Sequence, residues 1–442
     1  MDGAGATVNK PPEIGEALEK LQRDAFAYFL DYVNPANGLV GDNSRKDSHS
    51  SIAVTGLGLA AYAVGVERGF LTRADATERT LTTLRFFRGS PQSQDPLATG
   101  YQGFYYHFLD MRTGQRAWSC ELSVIDTALL IAGALTSMMY FQGEAAGEKE
   151  IREFVRFLYE RINWPWAMND GPAVAMGWKP ECGFLRYGWE GYSEASVLYV
   201  LGLGSPTHAL PPKSYDAWTS TYQWENLYGH DVLFAAPLFV HQLSHVWIDF
   251  RGIRDAFMRE KRSDYFENSR RATFIQQQYA MRNPRRFKGY DADSWGISAS
   301  DGPGSMTRRV DGVERQFFGY VARGVPYGPD DGTVAPWAVL ASLPFAPEVV
   351  LPALQRWRAR DPDIATAEGM LRSVNPTFET NPAAKRGWVC ETQYGLEQGP
   401  VVLMIENYRS GLVWRLMRKC RPVVAGLRAA GFRDGWLRSA SR

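Results

Sequence analysis

Wholly apolar helical stretches alternate with amphipathic ones along most of this chain, and that alternation limits the folds open to it. Residues 50–69 are almost all apolar or small, as a helix buried on every side requires. TRADATERTLTTLRFF follows, an amphipathic stretch with Thr72 placed to cap its start. The pattern then repeats, with 121–141 (ELSVIDTALLIAGALTSMMYF) apolar and 147–162 (GEKEIREFVRFLYERI) charged along one face. Ahead of both, 13–33 keeps Ile14, Leu18, Leu21, Phe26, Phe29 and Leu30 near one stripe and ends at Asn34-Pro35. Further helices are predicted at 193–202, 215–228, 236–249, 254–282, 333–342, 347–359, 400–418 and 421–430. Strand-like alternation is confined to pieces near 104–109 and 314–321.

About a dozen helices in this order suit an inner ring, apolar all round, wrapped by an outer ring with a wet face. The expected fold is therefore all-α, an (α/α)6 toroid forming a single domain over 13–442, with 1–12 as a disordered N-terminal tail. An irregular helical bundle is the alternative. In a toroid the site lies where the inner helices begin, in a funnel of connecting loops. The long loops at 90–120, 163–192, 283–332 and 360–399 are rich in Gly, Pro, Trp and acids, and loops of that length usually carry function.

Lys and Arg total 49 against 48 Asp and Glu, a formal net charge of +1, so no global field draws nucleic acid or an anionic membrane. No apolar run reaches the roughly 20 residues of a membrane span, which argues against membrane insertion. The start, Met1-Asp2-Gly3-Ala4-Gly5, lacks the pattern of a signal peptide. A periplasmic or secreted location is expected if Met1 replaces an export signal, and a cytoplasmic one otherwise. Cys120, Cys182, Cys390 and Cys420 form no CxxC pair, which argues against a zinc site and leaves free thiols or one or two disulfides. Aromatics make up 13% of the chain, many beside Gly, Pro and Asp, where their faces suit sugar rings; large helical cores use them too.

Glycosidic bonds are cleaved by two carboxyl groups, one protonated and one ionised. Glu194, in Trp189-Glu190-Gly191-Tyr192-Ser193-Glu194, falls at the start of an apolar helix beside two aromatics that can raise its pKa by desolvation, or else answers the helix dipole with Ser193 as cap. Glu121 and Asp126 flank the start of the 121–141 helix. Five helical residues would separate them by about 140°, so both cannot face one funnel equally. Asp126, among apolar neighbours, must be paired or functional once buried. Glu397 precedes Gln398-Gly399-Pro400 at another loop-to-helix junction and is the second catalytic candidate. Asp301 and Asp331 sit in Gly- and Pro-rich turns. His241, His245 and Asp249 have metal-ligand spacing on one helical face, yet neither a Glu after His241 nor a nearby third His completes a site. They are read as hydrogen-bonded or sugar-contacting groups, and no metal or other cofactor is expected. No GxSxG elbow and no Walker loop is present.

Taken together, several ordered motifs resemble the glycoamylase-like domain family. They include Ser51-Ile52-Ala53-Val54-Thr55-Gly56, Tyr106-His107-Phe108-Leu109-Asp110, Cys120-Glu121-Leu122-Ser123 through Asp126-Thr127, Leu203-Gly204-Ser205-Pro206-Thr207-His208, the 241–251 and 264–271 stretches, and the two Asp-Gly loops. The resemblance runs from about residue 20 to the end and is greatest to glycoside hydrolase family 144, the endo-β-1,2-glucanases and their relatives. It implies an (α/α)6 toroid, no metal, an inverting mechanism and a β-1,2-glucan, linear or cyclic, as substrate. It places the acid at Glu194, with Glu190 as the neighbour to test. The usual Asp before Gln-Gly-Pro is here Glu397, one methylene longer. Candidate catalytic residues are thus Glu194, Glu397, Glu121 and Asp126. Candidate substrate contacts are Glu190, Trp189, Tyr192, His107, His245, Trp247, Asp301, Asp331, Trp295 and Trp388. Transglycosylation on the same scaffold, or non-catalytic glycan binding, are the alternative functions.

Overall fold

The computed structural model describes residues 12–360, 372–380 and 387–440. The chain is mostly helical, with small antiparallel ladders between helices. Helix α1 (Pro12–Asp31) is followed by α2 (Ile52–Glu67), α3 (Arg73–Gly89), α4 (Val124–Tyr140), α5 (Ala146–Glu160), α6 (Ser196–Leu203) and α7 (Lys213–Thr219). Then come α8 (Ala256–Glu260), α9 (Tyr265–Arg282), α10 (Pro336–Ala341), α11 (Pro347–Arg360), α12 (Gly395–Arg409), α13 (Leu412–Met417) and α14 (Arg421–Ala429).

The apolar helices are the inner ones. Nearly all of α2, α4, α6, α10 and α12 is buried, and they pack as neighbours: α2 on α4, α4 on α6, α10 on α12, α12 back on α2. Amphipathic helices lie outside them, α1 on α12, α5 on α4 and α14 on α6, with α3 and α5 packed together. Helices α2 and α4 approach very closely. A Cβ on Gly133 would sit 1.8 Å from the Gly56 carbonyl oxygen, so both backbones can touch only because both residues are glycine. Helix starts follow their caps: Ser51 and Ser123 accept the amides of Val54 and Asp126, and Thr72 caps α3 as its sequence predicts.

Four predicted helices differ in the structure. The 236–249 stretch is two 3₁₀ turns, Leu238–His241 and Leu243–Val246, broken at Gln242. The 254–282 stretch is α8 and α9, the second restarted by the Asp264 cap on Glu267. Gly411, with φ +68, divides 400–418 into α12 and α13, and α12 begins five residues earlier than predicted. The 215–228 stretch ends as helix at Thr219 and becomes the hairpin Trp224–Leu227 with His230–Leu233.

The 104–109 stretch is the strands Phe104–Tyr106 and Phe108–Leu109, and the expected 314–321 stretch is strand only at Val313–Phe317 and again from Val321, while Phe104–Tyr106 also belongs to an unforeseen five-stranded sheet with Gly100–Tyr101, Leu122–Ser123, Gly177–Lys179 and Gly183–Phe184. Its strands are two or three residues long, too short to show alternation. Of the expected tail, residues 1–11 lie outside the described residues, while Pro12 already opens α1. Residues 361–371 and 381–386 of the 360–399 loop also lie outside them. All four cysteines are free thiols, Cys182 exposed and the others buried. No helix among the described residues is long and apolar enough to cross a membrane.

Candidate active site

At the N-terminal ends of α4, α6, α10 and α12 lies a cavity of about 400 Å³. His107, Glu121, Ser123 and Asp126 line one side, and Trp189, Glu194, Tyr320, Trp337 and Glu397 are also on its wall. Six of the sequence-predicted residues therefore meet there: His107, Glu121, Asp126, Trp189, Glu194 and Glu397. Helix N-termini carry partial positive charge, so the ends of four helices favour anionic groups and developing negative charge at this place.

Glu121 and Asp126 both reach the cavity, against the expectation from a continuous helix. Residues 122–123 are strand, α4 begins only at Val124, and the change from strand to helix between Glu121 and Asp126 brings the two carboxylates to the same wall. His107 bridges them, with Nδ1 2.8 Å from Glu121 Oε1 and Nε2 3.6 Å from Asp126 Oδ2. Burial pulls the imidazole pKa down, but the charges of Asp126, Glu121 and Asp42 outweigh it and lift it to about 9. Burial likewise pushes Glu121 up, and the hydrogen bond and charge of His107 more than reverse this, leaving it below the ordinary carboxylate value. Asp126 accepts the Ser123 hydroxyl. These three side chains have the donor set of a cation site, their ligand atoms lying within 4.8 Å of one another, and the imidazolium neutralises the pair in the same manner.

Glu194 stands just before α6, its backbone pinned by a hydrogen bond from the Ser244 hydroxyl to its carbonyl, 2.7 Å. Burial, with the nearby Asp126 charge adding to it, raises its carboxyl pKa to about 7, so it keeps its proton near neutrality. Glu397, in the first turn of α12, is buried and raised well above the ordinary value by burial first and then by Asp301 and Asp42. Its Oε1 and the indole N–H of Trp189 have no hydrogen-bond partner among the described residues. A buried acceptor and donor left free beside a mostly apolar cavity with a few acidic groups suit a ligand that carries both hydroxyls and apolar ring faces, or the water it displaces.

The other predicted residues lie elsewhere. Glu190 is exposed and off the cavity wall. Tyr192 packs behind the wall against His241 and Tyr265. His245 is buried between Phe250 and Phe345, its Nε2 3.0 Å from the Ser269 hydroxyl, and burial lowers its pKa to about 3. Trp247 and Trp295 are core residues with no exposed surface. These positions correct the sugar-contact expectation: apolar cores claimed the rings. Asp331 is a structural group too. It forms a fully buried bidentate pair with Arg323, 2.8 and 2.9 Å, and accepts the amides of Phe318 and Thr333. Asp301 and Trp388 line a neighbouring groove. Asp301 accepts the Tyr394 hydroxyl at 3.0 Å, and its charge reaches Glu397.

Asp42, which acts electrostatically on both His107 and Glu397, escaped the sequence reading. Its signal was present: an acid in the loop before an apolar inner helix, the pattern that singled out Glu194 and Glu397. Phe239, Tyr320 and Trp337 on the cavity wall carried no such signal.

A helical scaffold whose inner helices begin around a carboxyl-lined cavity defines a protein of the glycoamylase-like class. Comparison with known sequences agrees: the profile of the Glycoamylase family, described as "Putative glucoamylase", matches residues 186–421, and the chain belongs to that family. It is 27% identical over 448 residues to an exo β-1,2-glucooligosaccharide sophorohydrolase (non-reducing end) of Parabacteroides distasonis, covering 93% of this chain. The chain spans 57% of that relative's length. Among solved structures, an endo-β-1,2-glucanase of Chitinophaga pinensis, in complex with sophorotriose and glucose, superposes with a TM-score of 0.81 at 26% identity, over 96% of this chain and 99% of that one. A β-1,2-glucanase of Parabacteroides distasonis gives 0.82 at 25% identity, over 95% of this chain and 60% of that one.

Proposed function

We propose that this chain is an inverting glycoside hydrolase of β-1,2-glucans built on an (α/α)6 toroid. The observation that carries the reading is Glu194, a carboxyl that retains its proton to about pH 7 and faces a cavity holding three further acids. A general acid needs this poise, since it must be protonated at the working pH and still part with its proton in the transition state. The order of inner and outer helices and the relatives' substrates support the rest.

In the proposed reaction Glu194 protonates the glycosidic oxygen as the C1–O bond breaks. Glu397 takes a proton from the water that attacks C1 from the opposite face, so one carboxyl ends ionised and the other protonated. Glu397 in its ionised form is preferred to Glu121 as base because burial makes its carboxylate the stronger proton acceptor and its Oε1 has no hydrogen-bond partner among the described residues. Glu121 is held by His107 as a weaker base. Glu121 and Asp126 then serve to accept sugar hydroxyls and to stabilise the positive charge that grows on the sugar ring.

Linear and cyclic β-1,2-glucans, with β-1,3, β-1,4 and β-1,6 controls, test this when products are resolved by size and their first-formed anomer read by NMR. Cleavage of a β-1,2 substrate to an α-anomer is expected. No product from either β-1,2 substrate refutes the substrate, a first-formed β-anomer refutes inversion, and products longer than the substrate place transfer ahead of hydrolysis.

A further inference from the structure

Trp118 is 65% exposed, among the most exposed large side chains of the described residues. Its backbone is left-handed, φ +51, and so is that of Ser119, φ +52. Two consecutive non-glycine residues in that region hold conformational strain, which a mostly exposed ring does not recover through burial. The segment is nonetheless firmly built. Arg116 donates to the Cys120 carbonyl at 2.6 Å and pairs with Glu181, while the Ala117 and Cys120 amides bond to the Phe108 and Ala117 carbonyls. A tightly pinned turn thus displays an indole outward.

The indole is also the outer end of an aromatic series leading inward. Its ring lies 4.1 Å from His49 and 5.2 Å from Phe108, and Phe108 stacks on His107 at 4.0 Å with an angle of 14° between planes. His107 is on the cavity wall and bonds Glu121. A single exposed aromatic carries little meaning; this one is strained, pinned and packed through Phe108 against His107 of the carboxyl-lined cavity.

We infer that Trp118 is an outlying sugar platform, at which a β-1,2-glucan chain too long for the cavity packs the apolar face of a glucose ring against the indole. The inference rests on the reading of the cavity as a β-1,2-glucan site. Trp118 touches no reacting atom, so it acts on the binding of long chains and leaves the chemistry alone.

The test compares wild type, Trp118→Ala and Trp118→Tyr on a long linear β-1,2-glucan and on the shortest oligosaccharide the wild type cleaves, with thermal unfolding as a control for folding. Trp118→Ala is expected to raise KM for the long chain about tenfold, the scale of one lost aromatic contact. Its kcat, and both constants on the short substrate, should stay at wild-type values, and Trp118→Tyr should recover most of the loss. An unchanged KM on the long chain, or an equal loss on both substrates, overturns the platform. If the wild type cleaves neither substrate, the functional reading falls and the platform with it; if it cleaves both and Trp118→Ala behaves as wild type, only the platform falls.

Discussion

Replacing Glu194 by Gln tests the acid assignment through two independent readouts. The fold raises this carboxyl from the ordinary 4.5 to about 7, chiefly by burial. Below pH 4.5 the group is protonated in folded and unfolded chains alike, and its ionisation contributes nothing to stability. Between pH 4.5 and 7 the unfolded chain gives up the proton while the folded chain keeps it, so stability falls as pH rises and levels off above 7. At 1.36 kcal/mol per pKa unit the full loss is roughly 3 kcal/mol. Gln has the same shape and no such ionisation. Urea unfolding of both proteins from pH 4 to pH 8.5 should therefore show Glu194→Gln gaining on the wild type across that window, by up to about 3 kcal/mol. Over the same range kcat should be lower by about 10²-fold or more. The wild-type fall in kcat/KM above about pH 7 should vanish from the residual activity. A stability difference that does not change with pH, together with near-normal kcat, would refute both the raised pKa and its use.

Glu397→Gln should lower kcat by about 10²-fold while fold stability near neutral pH is kept or improved, because a buried carboxyl whose Oε1 has no partner among the described residues is replaced by a neutral group; steady-state kinetics and thermal melts check it. Glu190→Gln should leave kcat within a fewfold of wild type in the same assay, since that side chain is exposed and off the cavity wall. Asp331→Ala should cost about 3–5 kcal/mol in denaturant unfolding by stranding the buried Arg323 guanidinium. Gly133→Ala should cost about 3 kcal/mol or more, as its Cβ would sit 1.8 Å from the Gly56 carbonyl oxygen, and a thermal melt no lower than wild type would contradict the close α2–α4 approach.

The sequence by itself determined which helices are inner and which are outer, because an element buried on all sides must be apolar all round and this is visible within a single window of residues. It also marked Glu194 and Glu397 as acids at junctions between a loop and an apolar helix, and the fold brings those junctions to one cavity. Tertiary structure alone decided what local periodicity cannot express. A strand of two residues displaced the start of α4 and set Glu121 beside Asp126, although helical geometry had separated them. Trp247, Trp295, His245 and Asp331 have compositions suited to sugar binding, but long-range packing and the Arg323 pair took them into the interior. The upward shifts of the Glu194 and Glu397 carboxyls were settled in the same way. A carboxyl's pKa depends on the water removed around it and on charges such as Asp42, Asp126 and Asp301 brought near from distant positions, and neither is a property of the neighbouring sequence.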